Sequence, residues 1–257
     1  MVGEEHMISS LTSIKDYLSA NIVTSSRSPK MNALLNILLC TLAGKLLRPW
    51  LRSAPTSLAA AMQLLESFPG KEVFSASSYR LGFGMLRMNN VDGTEQYSSV
   101  TSYTNHPNYN GNAAGYPNDI AVLRLTSSMD TSSSAVGTVS LASGSYDYAG
   151  QTCTISGWGR LSGGGSTPNN LQKVDMTVLT NNDCSSRWSG ISGATINTGH
   201  ICIFESGRSA CSGDSGGPLV CGNTLTGITS WGISSCSGSY PSVYTRVSYF
   251  YSWVQGQ

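Results

Sequence analysis

Residues 210–220 read ACSGDSGGPLV, a loop built to present Ser215. A serine hydroxyl is a poor nucleophile at neutral pH unless a neighbouring base takes its proton. Glycines on both sides let the backbone turn tightly and expose its N–H groups. Those of Gly213 and Ser215 can converge on one point as an oxyanion hole, worth about 10² to 10³ in rate per donor. The obvious base is a histidine, and the chain holds three: His6, His106 and His200.

Around this loop the sequence has a strand-and-turn rhythm. DIAVLRL (119–125), QTCTISGW (151–158), LQKVDMTVL (171–179), PLVCG (218–222) and TGITSWG (226–232) are short apolar runs separated by Gly, Asn and Ser. That pattern predicts an all-β sandwich or barrel over residues 79–254. VDGTE (91–95) carries a D-G turn signal. LSGGGSTPNN (161–170) reads as a surface loop, because strand patterning resumes at once. Phe250, Trp253 and Val254 sit at helical spacing and predict a short C-terminal helix.

The 257 residues suffice for one large domain or two small ones. A net charge of +1 and the lack of a basic stripe exclude a nucleic-acid binder. Charged residues make up 11% of the chain, against roughly 25% in typical soluble domains. Gly, Ser, Thr and Asn take their place, as on many secreted β proteins. Of seven cysteines, Cys40 stands alone. Cys153, Cys184, Cys202, Cys211, Cys221 and Cys236 cluster without C-x-x-C spacing, which argues for disulfides and an oxidising compartment rather than zinc.

Residues 1–78 differ in character. MNALLNILLCTLAG (31–44), preceded by Arg27 and Lys30, resembles a signal-peptide apolar region that opens at an internal Met31. It is too short to span a membrane. TSLAAAMQLLESFPG (56–70) predicts a helix over 57–68, capped by Thr56 or Ser57 and stopped by Pro69-Gly70.

DGTEQY (92–97), HPNYN (106–110), NDIAVLRL (118–125), CTISGWGR (153–160), ACSGDSGGPLVC (210–221), TSWG (229–232) and PSVYTRV (241–247) occur in the order found in the trypsin/chymotrypsin family of serine endopeptidases. Residues 79–254 resemble that family, near its chymotrypsin and elastase branch. The resemblance implies an all-β fold of two antiparallel barrels with the site in the cleft between them. It implies Ser215 as nucleophile, Asp119 as the carboxylate that orients the base, and Gly213 and Ser215 as the oxyanion hole. Ser230, Trp231 and Gly232 would line the substrate backbone. Ser209 would form the base of the specificity pocket, with Gly232 and Ser242 on its walls. With no carboxylate at that base, an aromatic or apolar side chain is the expected preference, and Ser242 in place of a glycine narrows the pocket. The implied disulfides are Cys153–Cys221, Cys184–Cys202 and Cys211–Cys236.

One part of the family pattern is absent. Its base lies in a TAAHC-type string shortly before the strand matched here by YRLGF (79–83), yet no histidine occurs between His6 and His106. LAAAMQ (58–63) puts Met62 there, and Met accepts no proton. His106 matches a surface stretch, and His200 precedes a disulfide cysteine, so both are expected to be structural. The cysteine pair beside the base and the IVGG-type mature N-terminus are missing too; NIVTSS (21–26) is a poor match. In active members that terminal amine pairs with the aspartate before the nucleophile, here Asp214. The first barrel is therefore expected to be truncated to about three strands, with an open edge. Met85 stands where the family's calcium loop offers a carboxylate, so with Asp92 and Glu95 alone no metal site is expected.

The expectation is a secreted, monomeric endopeptidase by family, acting on protein or peptide without a cofactor or a membrane span, and impaired for want of its base. One route to such a chain is an incomplete version of an ordinary protease, broken between Gly44 and Ser77. The alternative is a non-catalytic homologue acting as a binding or regulatory module.

Overall fold

The structure is a computed structural model that describes residues 80–257. The signal-like stretch at 31–44, the helix expected at 57–68 and Cys40 lie outside the described residues. Within them the strand runs read from the sequence become strands. β1 (Arg80–Phe83), β2 (Gln96–Asn105) and β3 (Ala121–Leu125) form an antiparallel sheet in the order β1-β2-β3. β2 buries Ser98 and Val100 while its neighbours face out, the period-two pattern of a sheet with one covered side.

The remaining strands are β4 (Ser140–Leu141), β5 (Thr152–Gly157), β6 (Gln172–Leu179), β7 (His200–Phe204), β8 (Pro218–Cys221), β9 (Thr224–Trp231) and β10 (Ser242–Arg246). Six of them close on themselves as β10-β7-β6-β5-β8-β9, with β9 pairing back to β10, and β4 adds to β9 in parallel. Closure leaves little edge for pairing with other chains. The barrel interior holds Ile155, Met176, Val178, Ile201, Ile203, Leu219 and Tyr244. Gly227 allows the strands this close an approach: a Cβ there would lie 2.9 Å from that of Tyr244.

Two helices complete the fold: α1 (Asn181–Arg187) and α2 (Val247–Gln255). The C-terminal helix expected at Phe250–Val254 is α2, two turns long. Its Val247, Phe250 and Val254 recur at i, i+3 and i+7 and are buried. They share a core with Leu81, Phe83 and Val122 of the small sheet and with Leu225 and Ile228 of the barrel, so α2 seals the seam between them. The sequence reading missed α1, although its start signal is present: Thr180 caps it, accepting from the Asp183 N–H at 3.0 Å.

Among the described residues, backbone hydrogen bonds strap the seam in two places. Met88 N–H donates to the Asn169 carbonyl and Leu171 N–H to that of Leu86, each at 2.9 Å. The guanidinium of Arg87 closes on Asp92 through Nε, at 2.7 Å, and Nη2, which stiffens the loop that makes this strap. The second strap is Gly115, whose N–H donates to the Gly193 carbonyl at 3.0 Å.

The three implied disulfides are all formed. Each contributes about 2–4 kcal/mol by restricting the unfolded chain.

Candidate active site

The Ser215 loop joins β7 to β8 and is pinned by Cys211–Cys236. Within it Asp214 N–H donates to the Cys211 carbonyl at 2.9 Å and Gly217 N–H to the Asp214 carbonyl at 2.8 Å. Gly213 adopts φ +101°, and a Cβ there would meet the Gly159 backbone at 3.1 Å. Both facts demand glycine. Among the described residues the N–H groups of Gly213 and Ser215 make no hydrogen bond, and Ser215 itself is half-buried.

Asp214 turns its carboxylate inward. Oδ1 accepts from Gly159 N–H at 2.9 Å and Oδ2 from Cys211 N–H at 3.0 Å. Desolvation pushes its pKa up to about 6, and the two N–H donors pull the other way. Gly157 and Gly159 lie so close that added Cβ atoms would fall 2.1 and 2.4 Å from this carboxyl group. Beside it opens a cavity of about 200 Å³, lined by Gly157, Gly159, Ser209, Cys211, Thr229 and Tyr244 among others. The sequence names Asp214 but not this cavity; the only prior signal is the pair of glycines flanking Trp158.

Asp119 enters from the other side of the seam, at the end of the loop between β2 and β3. It is 3% exposed. Its Oδ2 accepts from Ser230 Oγ at 2.6 Å, and its carbonyl accepts from Thr245 Oγ1 at 2.6 Å. Burial raises its pKa to about 7, with the Ser230 hydrogen bond opposing. The two halves of the site are linked through β9. Gly216 N–H donates to the Thr229 carbonyl at 3.0 Å, and Thr229 N–H to that of Gly217 at 2.8 Å. The next residue, Ser230, holds Asp119.

Ser230 and Trp231 end β9, both buried, and Gly232 follows. Ser242 is buried, and its Oγ accepts from Ala210 N–H at 3.0 Å. Ser209 Oγ is buried with no hydrogen-bond partner among the described residues.

No hydrogen bond joins either described histidine to Asp119 or Ser215, although the His200 ring stands edge-on to Trp231 with centroids 6.1 Å apart. His106 packs on Phe250 and Trp253, with ring centroids 5.3 and 4.9 Å away. His200 is 2% exposed, and its Nδ1 accepts from Asn197 N–H at 3.2 Å. In the loop beside Met85, Asp92 is taken by Arg87, and Glu95 Oε2 accepts from Gly93 N–H at 2.8 Å. Among the described residues no cluster of three or more His, Cys, Asp and Glu side chains could hold a metal ion. No helix among them is long and apolar enough to cross a membrane.

Known proteins resemble this chain over most of the described residues. The trypsin family model matches residues 70–254. A chymotrypsin-like serine proteinase of Haliotis rufescens is 64% identical over 262 residues, covering 88% of this chain and 100% of that one. Since 88% of 257 residues is fewer than 262, a few dozen residues of that protein have no counterpart here. Fibrinolytic enzyme isozyme C of Lumbricus rubellus is 38% identical, covering 80% of this chain and 88% of its own. Among solved structures, neuropsin, a serine protease expressed in mouse limbic system, superposes with a TM-score of 0.60 at 34% identity, over 67% of this chain and 76% of that one.

Proposed function

Because the chain belongs to the trypsin family of serine proteases, we propose that it is a serine-type endopeptidase by descent whose turnover is impaired in this form. Ser215 is the nucleophile, and Asp119 is the carboxylate that orients a base and stabilises its cation. The Gly213 and Ser215 N–H groups receive the developing oxyanion. Ser230, Trp231 and Gly232 hold the substrate backbone. Ser209, Gly232 and Ser242 shape a pocket for an apolar or aromatic side chain. Residues 79–257 form the protease domain, which acts outside the cell as a monomer, on protein or peptide and not on nucleic acid.

The observation that carries the impairment is the placement of the histidines: His106 and His200 are both engaged away from Asp119 and Ser215. Loss of a triad member costs about 10⁴–10⁶ in kcat. Asp214 adds a second reason. Its carboxyl is satisfied by two backbone N–H groups, with no IVGG-type start in the chain to supply the family's activating amine.

The test is hydrolysis of a Phe- or Leu-type peptide ester by this chain and by Ser215→Ala. Equal, background rates are expected. Robust turnover abolished by Ser215→Ala would overturn the impairment and leave the endopeptidase reading intact. Sequencing the transcript across codons 44–78 gives the cause. A TAAHC-type string there makes this chain an incomplete version of an ordinary protease.

A second reading, a non-catalytic module that binds peptide, is favoured by one feature. The substrate-facing strand end, Ser230–Gly232, sits intact on the closed barrel. Saturable binding of an apolar peptide without cleavage supports it.

A further inference from the structure

The loop before Asp119 carries a covalent weak point. Asn-Gly occurs once in the chain, at Asn110–Gly111. The pair opens a turn: Ala113 N–H donates to the Asn110 carbonyl at 3.2 Å, and Asn110 N–H donates to the Pro117 carbonyl at 3.3 Å. The Asn110 side chain folds over this turn, its Oδ1 accepting from Asn112 N–H at 3.0 Å. Asn110 is exposed.

This geometry suits the pair to attack itself. Gly111 has no side chain to obstruct ring closure. The hydrogen bond from Asn112 draws electron density out of the side-chain carbonyl and leaves Cγ more electrophilic. Among the described residues Gly111 N–H donates no hydrogen bond, and neither does Asn110 Nδ2. The attacking and the leaving nitrogen are therefore both untied. Asp92–Gly93 shares the sequence cue but not the freedom. Gly93 N–H donates to Glu95 Oε2 at 2.8 Å, and Asp92 Oδ1 accepts from Arg87 Nε at 2.7 Å. Asn118 is tied as well, its Nδ2 donating to the Asn108 carbonyl at 2.8 Å.

We propose that Asn110 is a site of spontaneous deamidation, and that its conversion slackens the loop leading to Asp119. The Gly111 nitrogen bonds to Asn110 Cγ and gives its proton to a solvent base. The Cγ–Nδ2 bond breaks, ammonia leaves, and a cyclic imide remains. Water then opens the imide at either carbonyl, giving aspartate or isoaspartate; nothing is oxidised or reduced. In the isoaspartate form the main chain runs through the former side chain and is longer by one carbon. The carbonyl that held Ala113 N–H becomes a pendant carboxylate. Gly115 bounds the slackened stretch on the Asp119 side: its N–H is held by the Gly193 carbonyl, and an added Cβ would fall 2.1 Å from the Thr195 carbonyl oxygen. None of this needs turnover at Ser215, so it stands or falls apart from the endopeptidase reading.

The experiment ages the full chain, folded, in neutral buffer and follows every asparagine by peptide mapping and mass spectrometry. Fragmentation that separates aspartate from isoaspartate reads the products. Asn110 is expected to show the mass gain of NH₂ replaced by OH before any other asparagine of residues 80–257, with both products present. Gly111→Ala is expected to lose this conversion. Its added Cβ would meet only the tip of the Tyr109 side chain, with Oη at 3.0 Å, so the turn can stay as it is. Earlier conversion elsewhere in those residues, or equal conversion in Gly111→Ala, overturns the proposal. So does an Asn110 that stays intact in the folded chain and converts only in urea. Should Gly111→Ala fail to fold, the comparison of folded and urea-treated wild type still decides. Hydrogen exchange on the aged chain then reads the loop. The Ala113 N–H is expected to exchange faster while the Gly115 N–H stays slow; unchanged exchange at Ala113 overturns the slackening.

Discussion

The barrel and the three-stranded sheet face each other across one seam, yet they hold together by different means. The barrel closes its hydrogen-bond ladder and carries all three disulfides. The sheet, among the described residues, has three strands and no disulfide, and leans on the barrel through α2, the Arg87 loop and Gly115. The site is divided just as unevenly. Of the proposed site residues, the barrel side holds Ser215, Gly213, Ser209, Ser230, Trp231, Gly232 and Ser242. Among the described residues the sheet side holds Asp119 alone, and that residue is fastened to barrel atoms. The proposed geometry depends less on the sheet's own stability than on its docking.

The contrast breaks most visibly at Trp188, 1% exposed against Trp231. Trp188→Ala is expected to cost about 3–5 kcal/mol and to lower the urea midpoint for the whole barrel. Leu81→Ala in the sheet, similar in burial, should instead raise native-state hydrogen exchange in β1–β3 and leave β5–β9 protected. Uniform loss of protection in both variants would mean one cooperative unit.

Next comes pH. Asp214 and Asp119 have folded pKa values raised to about 6 and about 7, so the folded state holds protons that the unfolded state releases. Their contribution therefore falls as pH rises from about 4 to those values. His200, lowered to about 4, works oppositely and adds stability as pH rises from about 4 to 6.5. Asp214→Asn removes the titrating group and is expected to flatten the fall between pH 4 and 6, read from denaturant midpoints across pH, while its amide NH2 leaves one of the Gly159 and Cys211 N–H groups without an acceptor at every pH. An unchanged profile would show that Asp214 already has a cationic partner.

Smaller still is Thr180→Ala, about 1 kcal/mol for the lost cap of α1, seen as a modest drop in melting temperature. The least effect is expected from Arg87→Met. It should speed exchange at the Met88 and Leu171 N–H groups while barely moving the melting temperature, because Arg87 is exposed to solvent and its pair with Asp92 is screened.

The barrel's core strands were readable because their apolar runs are continuous and bounded by Gly and Asn. α2 was readable from its i, i+3, i+7 stripe. The disulfide pairing came from resemblance, since six cysteines alone allow many pairings. What escaped the sequence is what depends on distant segments meeting. β4 is a two-residue strand, too short for any period. Nothing in the sequence pairs Arg87 with Asp92. The cavity beside Asp214 exists because Gly157 and Gly159 meet a loop some fifty residues later.

Cys153 lies before the glycine-rich loop that joins β5 to β6, and Cys221 lies after it. The other two disulfides fall wholly on the far side. A backbone scission at the exposed Leu161 would therefore leave two polypeptides tethered by a single covalent link. The nicked molecule would migrate as one band until a reductant parted it into two. A preparation that passes as homogeneous on a non-reducing gel can thus conceal cleaved chains.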